Sequence, residues 1–179
     1  RLGLHVVNEL SHKAAERILE ARKQQFFTSL EDFLIRCRLN KDERRVLAEI
    51  GALNALAGHR REALWQVDKQ ADPDDLFHVP SESKMHPAEG GFQDSTLEPM
   101  AAMERLEADY GGQNMSTGPH PMAFLRAQLP DTWRASELPS AHNGQHVRIA
   151  GLVICRQRPS TANGNMFISL EDETGISNA

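Results

Sequence analysis

Divalent-metal chemistry requires carboxylates clustered on a rigid frame, and two runs of acidic residues are candidates: Asp72, Asp74 and Asp75, and Glu171, Asp172 and Glu173. The first run is broken by Pro73, and the second falls on an expected turn before Gly175, so both read as solvated loop charges. The eight histidines show no ligand spacing. His142 and His146 would share a face only on a helix, and Asn143-Gly144 between them argues for a turn. Cys37 and Cys155 are too far apart in sequence for a metal-binding thiol pair, and two cysteines make no disulfide framework. There is no nucleophile elbow, no phosphate-binding glycine loop with a lysine, and no Cys and His pair. No catalytic residue, resident metal or cofactor is expected in this chain.

Anion binding is the chemistry that remains. The connection Ile50-Gly51-Ala52-Leu53-Asn54-Ala55-Leu56-Ala57-Gly58 leads into a helical pattern that begins with Arg60 and Arg61. A helix that starts after a tight turn offers unpaired backbone N–H groups and the positive end of its dipole, and a DNA phosphate fills such a place without base contacts. The plain alternative is an ordinary helix–helix turn, with glycine for geometry and leucine for packing. A second surface is available near the end of the chain, where Phe167 could stack a base and Arg148, Arg156 and Arg158 could follow phosphates. Its alternative is Phe167 in the core and solvated arginines.

Short helices must position the first surface. Ala14, Ala15, Ile18 and Leu19 recur at helical spacing after Ser11, predicting a helix over about 12–23. Ser29-Leu30-Glu31-Asp32 and Asn40-Lys41-Asp42-Glu43 each place a capping side chain three residues before a carboxylate, which predicts two further helix starts. Gly51 is placed to end the third helix, and Arg60 through Val67 predicts a fourth. Ser95-Thr96-Leu97-Glu98-Pro99 reads as another helix start, with apolar spacing up to Tyr110-Gly111-Gly112. Met122, Phe124 and Leu125 form a short helical stretch after a rigid turn at residues 117–121. The period then changes. Residues 146–156 read as a long strand bent at Gly151, Asn163-Gly164 as a hairpin, residues 165–170 as a second strand, and Ile176 as the start of a third. These are the opening strands of a small antiparallel barrel.

The expected class is therefore mixed α and β, with a helical domain over 1–69, an acidic linker over 70–95, a helical connector over 96–130 and a partial barrel over 131–179. A chain of 179 residues accommodates one full domain and part of another. Charge follows the same divisions: 13 basic and 10 acidic residues over 1–70, 3 and 10 over 71–130, and 4 and 5 over 131–179. Only the first region has an electrostatic reason to meet a polyanion. No apolar run approaches the roughly 18 residues that cross a bilayer, so a membrane span is excluded and the cytosol fits the thiol content. The first residue is Arg and the opening lacks signal-peptide regions, so the chain is expected to be an internal piece of a longer protein.

The residues resemble a known family, the C-terminal part of bacterial C-family DNA polymerases, and most closely the error-prone, damage-inducible alpha-subunit type. The matching stretches are Arg1-Leu2-Gly3-Leu4 with Ala14-Ala15-Glu16-Arg17-Ile18, Ser29-Leu30-Glu31-Asp32-Phe33, residues 47–56, Gly118-Pro119-His120-Pro121-Met122, and Ser169 through Gly175. They occur in the family's order and cover nearly all of the chain outside about 70–95. The resemblance implies a tandem helix-hairpin-helix domain that binds DNA without sequence preference, a connector and the start of an OB-fold. It also implies that the catalytic aspartates and the parent's magnesium lie elsewhere, so this chain alone is expected to be inactive. Carried onto these residues, Glu9, Leu10, Ser11 and Lys13 form the first hairpin, and Gly51, Ala52, Leu53, Gly58, Arg60 and Arg61 the second. The first departs from the family's glycine-hydrophobe-glycine pattern, and a carboxylate at Glu9 repels phosphate. The partners implied are primer-template duplex, single-stranded template, a sliding clamp and accessory mutagenesis proteins.

Two functions of different class follow: a region gripping primer-template during translesion synthesis and repair, or a protein-interaction module with little DNA affinity. Phosphate binding must weaken with salt and depend on Arg60 and Arg61, whereas apolar docking does neither. A nuclease with tandem hairpins is disfavoured by the lack of a metal-binding carboxylate set.

Overall fold

A computed structural model describes residues 3–69, 97–161 and 164–179. The expected linker over 70–95 and Asn163 of the hairpin signal lie outside the described residues. Two compact units meet between Met115 and Ser116, a boundary that falls within the stretch 96–130.

The first unit is helical, and its helices start at capping side chains. Helix α1 (His12–Gln24) begins where the Ser11 hydroxyl accepts the Ala14 N–H, α2 (Leu30–Cys37) where Ser29 accepts that of Asp32, and α3 (Lys41–Glu49) at a reciprocal box between Asn40 and Glu43. Helices this short are marginal alone, so packing must hold them. Ala14, Ile18 and Ala21 from α1, Leu30, Phe33 and Cys37 from α2, and Leu47 and Ala48 from α3 form one core with Leu53 and Ala57. Ala63 and Val67 of α5 (Arg60–Lys69) complete it. Each fully buried leucine or valine contributes about 1.5–3 kcal/mol.

Two local expectations differ from the structure. The connection after Gly51 contains a one-turn helix, α4 (Asn54–Ala57), too short to leave a periodic signal. The helix expected from residue 95 begins later, as α6 (Ala102–Gln113), because Glu98 precedes Pro99 and is steered out of the helical region. The helical spacing up to Gly112 agrees with the end of α6 at Gln113, capped by Asn114 at φ 55°. Gly112 makes a close contact: a Cβ there would collide with the Ile50 side chain and stand 3.2 Å from Val46 Cγ2, so α6 packs closely on α3 through bare backbone.

In the second unit, Pro121 at the first position of α7 (Pro121–Leu125) follows His120, whose Nδ1 accepts the Met122 N–H at 3.1 Å. An antiparallel sheet follows, in the order β1 (Leu152–Gln157), β2 (Phe167–Asp172), β3 (Gly175–Asn178). Leu152 pairs with Glu171 and Gln157 with Phe167, with one irregularity between Val153 and Cys155. The sheet is open, and Val153, Phe167 and Ile176 are each more than half exposed. The class is thus mixed α and β, a helical unit followed by antiparallel strands consistent with part of an OB-like barrel.

The first strand is shorter than expected. Residues 146–151 stay outside the ladder apart from a bridge between Ile149 and Trp133, and the chain leaves the sheet at Gly151, where a Cβ would stand 2.7 Å from the Glu171 carbonyl oxygen. The reading of Glu171, Asp172 and Glu173 as solvated loop charges also fails for the last two. Arg126 contacts Asp172 Oδ2 at 3.2 Å and both Glu173 oxygens, through Nε at 2.8 Å and Nη2 at 2.9 Å. Asp172 Oδ1 accepts the N–H and hydroxyl of Thr174 and the N–H of Gly175, and its Oδ2 accepts the Ala135 N–H. Burial pushes the Asp172 carboxyl up, but these donors outweigh it and hold the group below the usual carboxylate range. The Arg126 hydrogen bond holds Glu173 below its usual range as well.

Candidate nucleic-acid interface

The second hairpin is built on a helix end of defined geometry. After Ile50 caps α3, Gly51 takes φ +77°, the Gly51 N–H donates to the Ala48 carbonyl, and the Ala52 N–H donates to that of Leu47. This is a paired left-handed helix ending that favours glycine. Leu53 plugs the core at 3% exposure, while Ala52 stays at the surface. Gly58 makes the second reversal at φ +64°, and α5 begins two residues later. The Glu62 amide is capped by His59 Nδ1 at 3.2 Å and the Ala63 amide is bonded to the His59 carbonyl. By helix geometry the Arg60 and Arg61 amides have no carbonyl one turn back. The turn thus has the parts of an anion cradle: a rigid reversal, a helix start and two guanidinium groups.

Both guanidinium groups, however, already hold carboxylates of α6. Arg60 lies over Gly51, where a Cβ would stand 2.6 Å from its Nε, and its Nη1 meets Asp109 Oδ1 at 2.7 Å and the Arg105 carbonyl at 3.1 Å. The Arg60 and Asp109 side chains are 13% and 5% exposed. Arg61 Nη2 contacts both carboxylate oxygens of Glu104 at 2.9 Å, in an exposed pair. These acidic partners lie more than forty positions along the chain, so no local pattern could have announced them.

The first hairpin is occupied differently. Glu9 adopts φ 61°, the conformation that glycine favours, and its side chain is exposed. Leu10 packs against the core, and Lys13 lies exposed in the first turn of α1. The Ser11 N–H and hydroxyl donate to Glu43 Oε1, at 3.3 and 2.6 Å, so a buried carboxylate already sits at the start of α1. Glu43 also accepts the Asn40 N–H through Oε2 at 3.1 Å. Asn8 ties this hairpin to the end of α6, its N–H bonded to the Gly112 carbonyl and its amide to that of Gly111.

In the second unit, Arg156 on β1, Arg158 just past its end and Phe167 on β2 are all exposed, Phe167 by 56%. Arg156 pairs with Ile168 and Gln157 with Phe167. Since neighbouring positions alternate faces, Arg156 and Phe167 lie on opposite faces of the sheet. Among the described residues, no group of three or more His, Cys, Asp or Glu side chains gathers to hold a metal, and no helix is long and apolar enough to cross a membrane.

A family model described as the helix-hairpin-helix motif matches residues 1–63, which include both hairpins. Three curated proteins named error-prone DNA polymerase are similar across 99% of this chain: those of Ralstonia pickettii at 41% identity, Aromatoleum aromaticum at 40% and an Anaeromyxobacter strain at 42%. The chain spans 15–16% of the length of these relatives. The likeness runs through both compact units and agrees with the resemblance carried by the residues.

Proposed function

We infer, from the premise that the chain corresponds over nearly its whole length to one stretch of the error-prone DNA polymerases, that it is a DNA-binding region of such an enzyme. It grips the backbone of primer-template duplex without reading sequence, while catalysis and its magnesium lie in other parts of the polymerase. Translesion synthesis and repair are the setting that the relatives' name suggests.

One observation carries this reading: the second hairpin, within the helix-hairpin-helix match, presents a left-handed turn at Gly51, a helix start and the solvent-open guanidinium of Arg61 at one place, with Arg60 seated over the turn as its support. Those groups suit phosphate oxygens, which lie at the same spacing in any sequence. The first hairpin contributes less, since Glu9 repels phosphate and Glu43 already holds Ser11. Phe167 is proposed as a base-stacking contact to single-stranded template, whereas Arg156 lies on the opposite face and does not share that surface.

The test is fluorescence anisotropy of a labelled primer-template duplex at two salt concentrations. Arg61→Ala should weaken binding severalfold and reduce the salt slope by about 0.9, the loss of one phosphate contact. Binding unchanged by salt and by this substitution would overturn the reading in favour of docking to a protein partner, such as a clamp or accessory factor. The exposure of Phe26, at 81%, and Ile35, at 60%, is what favours that second reading.

A further inference from the structure

We propose that Glu104 competes with the DNA phosphate for Arg61, so that α6 sets the affinity of the second hairpin. This rests on the DNA-binding reading above and adds a regulating residue to the same site.

The two arginines of the hairpin are held in different ways. Arg60 is enclosed, fixed by Asp109 and the Arg105 carbonyl, and seated over Gly51. Breaking that pair would separate two charges that are both largely withdrawn from water, so Arg60 positions the turn and does not exchange its partner. Arg61 is 37% exposed and Glu104 50%, and an ion pair so open to solvent gains little over its hydrated parts. Its geometry also imitates the ligand: two oxygens of one anion converge on a single guanidinium nitrogen. A phosphate can therefore replace the carboxylate at small cost, but it must first displace it.

Glu104 is held in place rather than merely passing by. It accepts the Ala101 N–H at 2.7 Å at the start of α6. The helix behind it is fastened at three further points: Asp109 to Arg60, Gly112 against Ile50, and the Gly111 and Gly112 carbonyls to Asn8. The same helix thus closes both hairpins together and presents a carboxylate where DNA must arrive. Glutamine at 104 keeps the oxygen that caps α6 and removes the charge, which makes Glu104→Gln a clean probe.

The experiment is a double-mutant cycle on the whole chain, read by duplex anisotropy at low salt with Glu104→Gln, Arg61→Ala and the double variant. Glu107→Gln, an exposed carboxylate on the same helix, serves as the control for net charge. Glu104→Gln should tighten binding roughly two- to fivefold, the range expected for releasing an exposed ion pair, and the gain should vanish when Arg61 is absent. An unchanged affinity, an equal gain without Arg61, or an equal gain from Glu107→Gln would overturn the competition while leaving DNA binding intact. Failure of every form, wild type included, to bind duplex at low salt would overturn both the DNA-binding reading and this proposal.

Discussion

Glu43 and Ser11 are joined by two hydrogen bonds to one carboxylate oxygen, from the serine N–H at 3.3 Å and its hydroxyl at 2.6 Å. The other oxygen accepts the Asn40 N–H, so a single buried side chain caps α3 and secures the start of α1. In the first hairpin an internal carboxylate therefore does for the protein what a bound anion would do from outside. That arrangement makes the hairpin a structural joint, and it separates the roles of two motifs that look alike in outline.

Glu43→Ala should consequently destabilise the helical unit by about 2–4 kcal/mol, combining a lost cap with buried donors left unpaired. Urea unfolding followed by circular dichroism measures it. A cost within the range of an ordinary surface substitution would show that Glu43 is not the joint.

The two adjacent glycines of α6 should respond in opposite directions. Nothing lies within 4 Å of a Cβ built at Gly111, so Gly111→Ala should stabilise the helix by about 0.5–1 kcal/mol through its better helix propensity. At Gly112 the same methyl group meets Ile50 and Val46, and Gly112→Ala should destabilise by about 1–3 kcal/mol despite that propensity. Thermal melting of the pair separates the effects, and equal shifts of the same sign would refute the close contact between α6 and α3.

The contrast between these glycines shows what the residues alone could reveal. Caps at Ser11, Ser29 and Asn40 act within three positions, so the helix starts were legible from local spacing. The turn at Gly51 was legible for the same reason, because a positive φ after a helix selects glycine. The packing role of Gly112 was not legible, because it depends on Ile50, far away in sequence. The two basic residues at the start of α5 were visible in the sequence, but Asp109 and Glu104 reach Arg60 and Arg61 only once α6 has folded back. Asp172 and Glu173 resembled solvated turn charges until Arg126 was brought beside them by the fold. Local backbone rules were readable; partners chosen by tertiary packing were not.

The two cysteines should differ sharply in reactivity. Cys37 is fully buried in the helical core, and burial pushes its thiol up to about 11, so almost no thiolate forms at neutral pH. Cys155 lies on β1 and is partly exposed. A thiol reagent at pH 7.5 should modify Cys155 in the native protein and reach Cys37 only on unfolding. Mass spectrometry showing prompt labelling of Cys37 in the folded chain would contradict the core placement.

Acid should weaken the second unit through the Arg126 clasp. Asp172 and Glu173 both lie below their ordinary carboxyl values, so in acid the unfolded chain binds more protons than the folded one. Their contribution is fully present above the unfolded values, near pH 4, and is lost as pH falls through the lower folded values. Arg126 stays protonated throughout, its own value being raised first by the Glu173 hydrogen bond, so the carboxylates are the titrating partners. Trp133 lies in this unit and Trp65 in the other, so urea unfolding followed by fluorescence in a Trp65→Phe background reports on the second unit alone. The midpoint should drop between pH 7 and pH 3. Arg126→Met should start lower at pH 7 and fall less steeply with acid, because Glu173 then loses the hydrogen bond that depresses it. An acid dependence equally steep without Arg126 would mean that carboxylates elsewhere in the unit govern its stability.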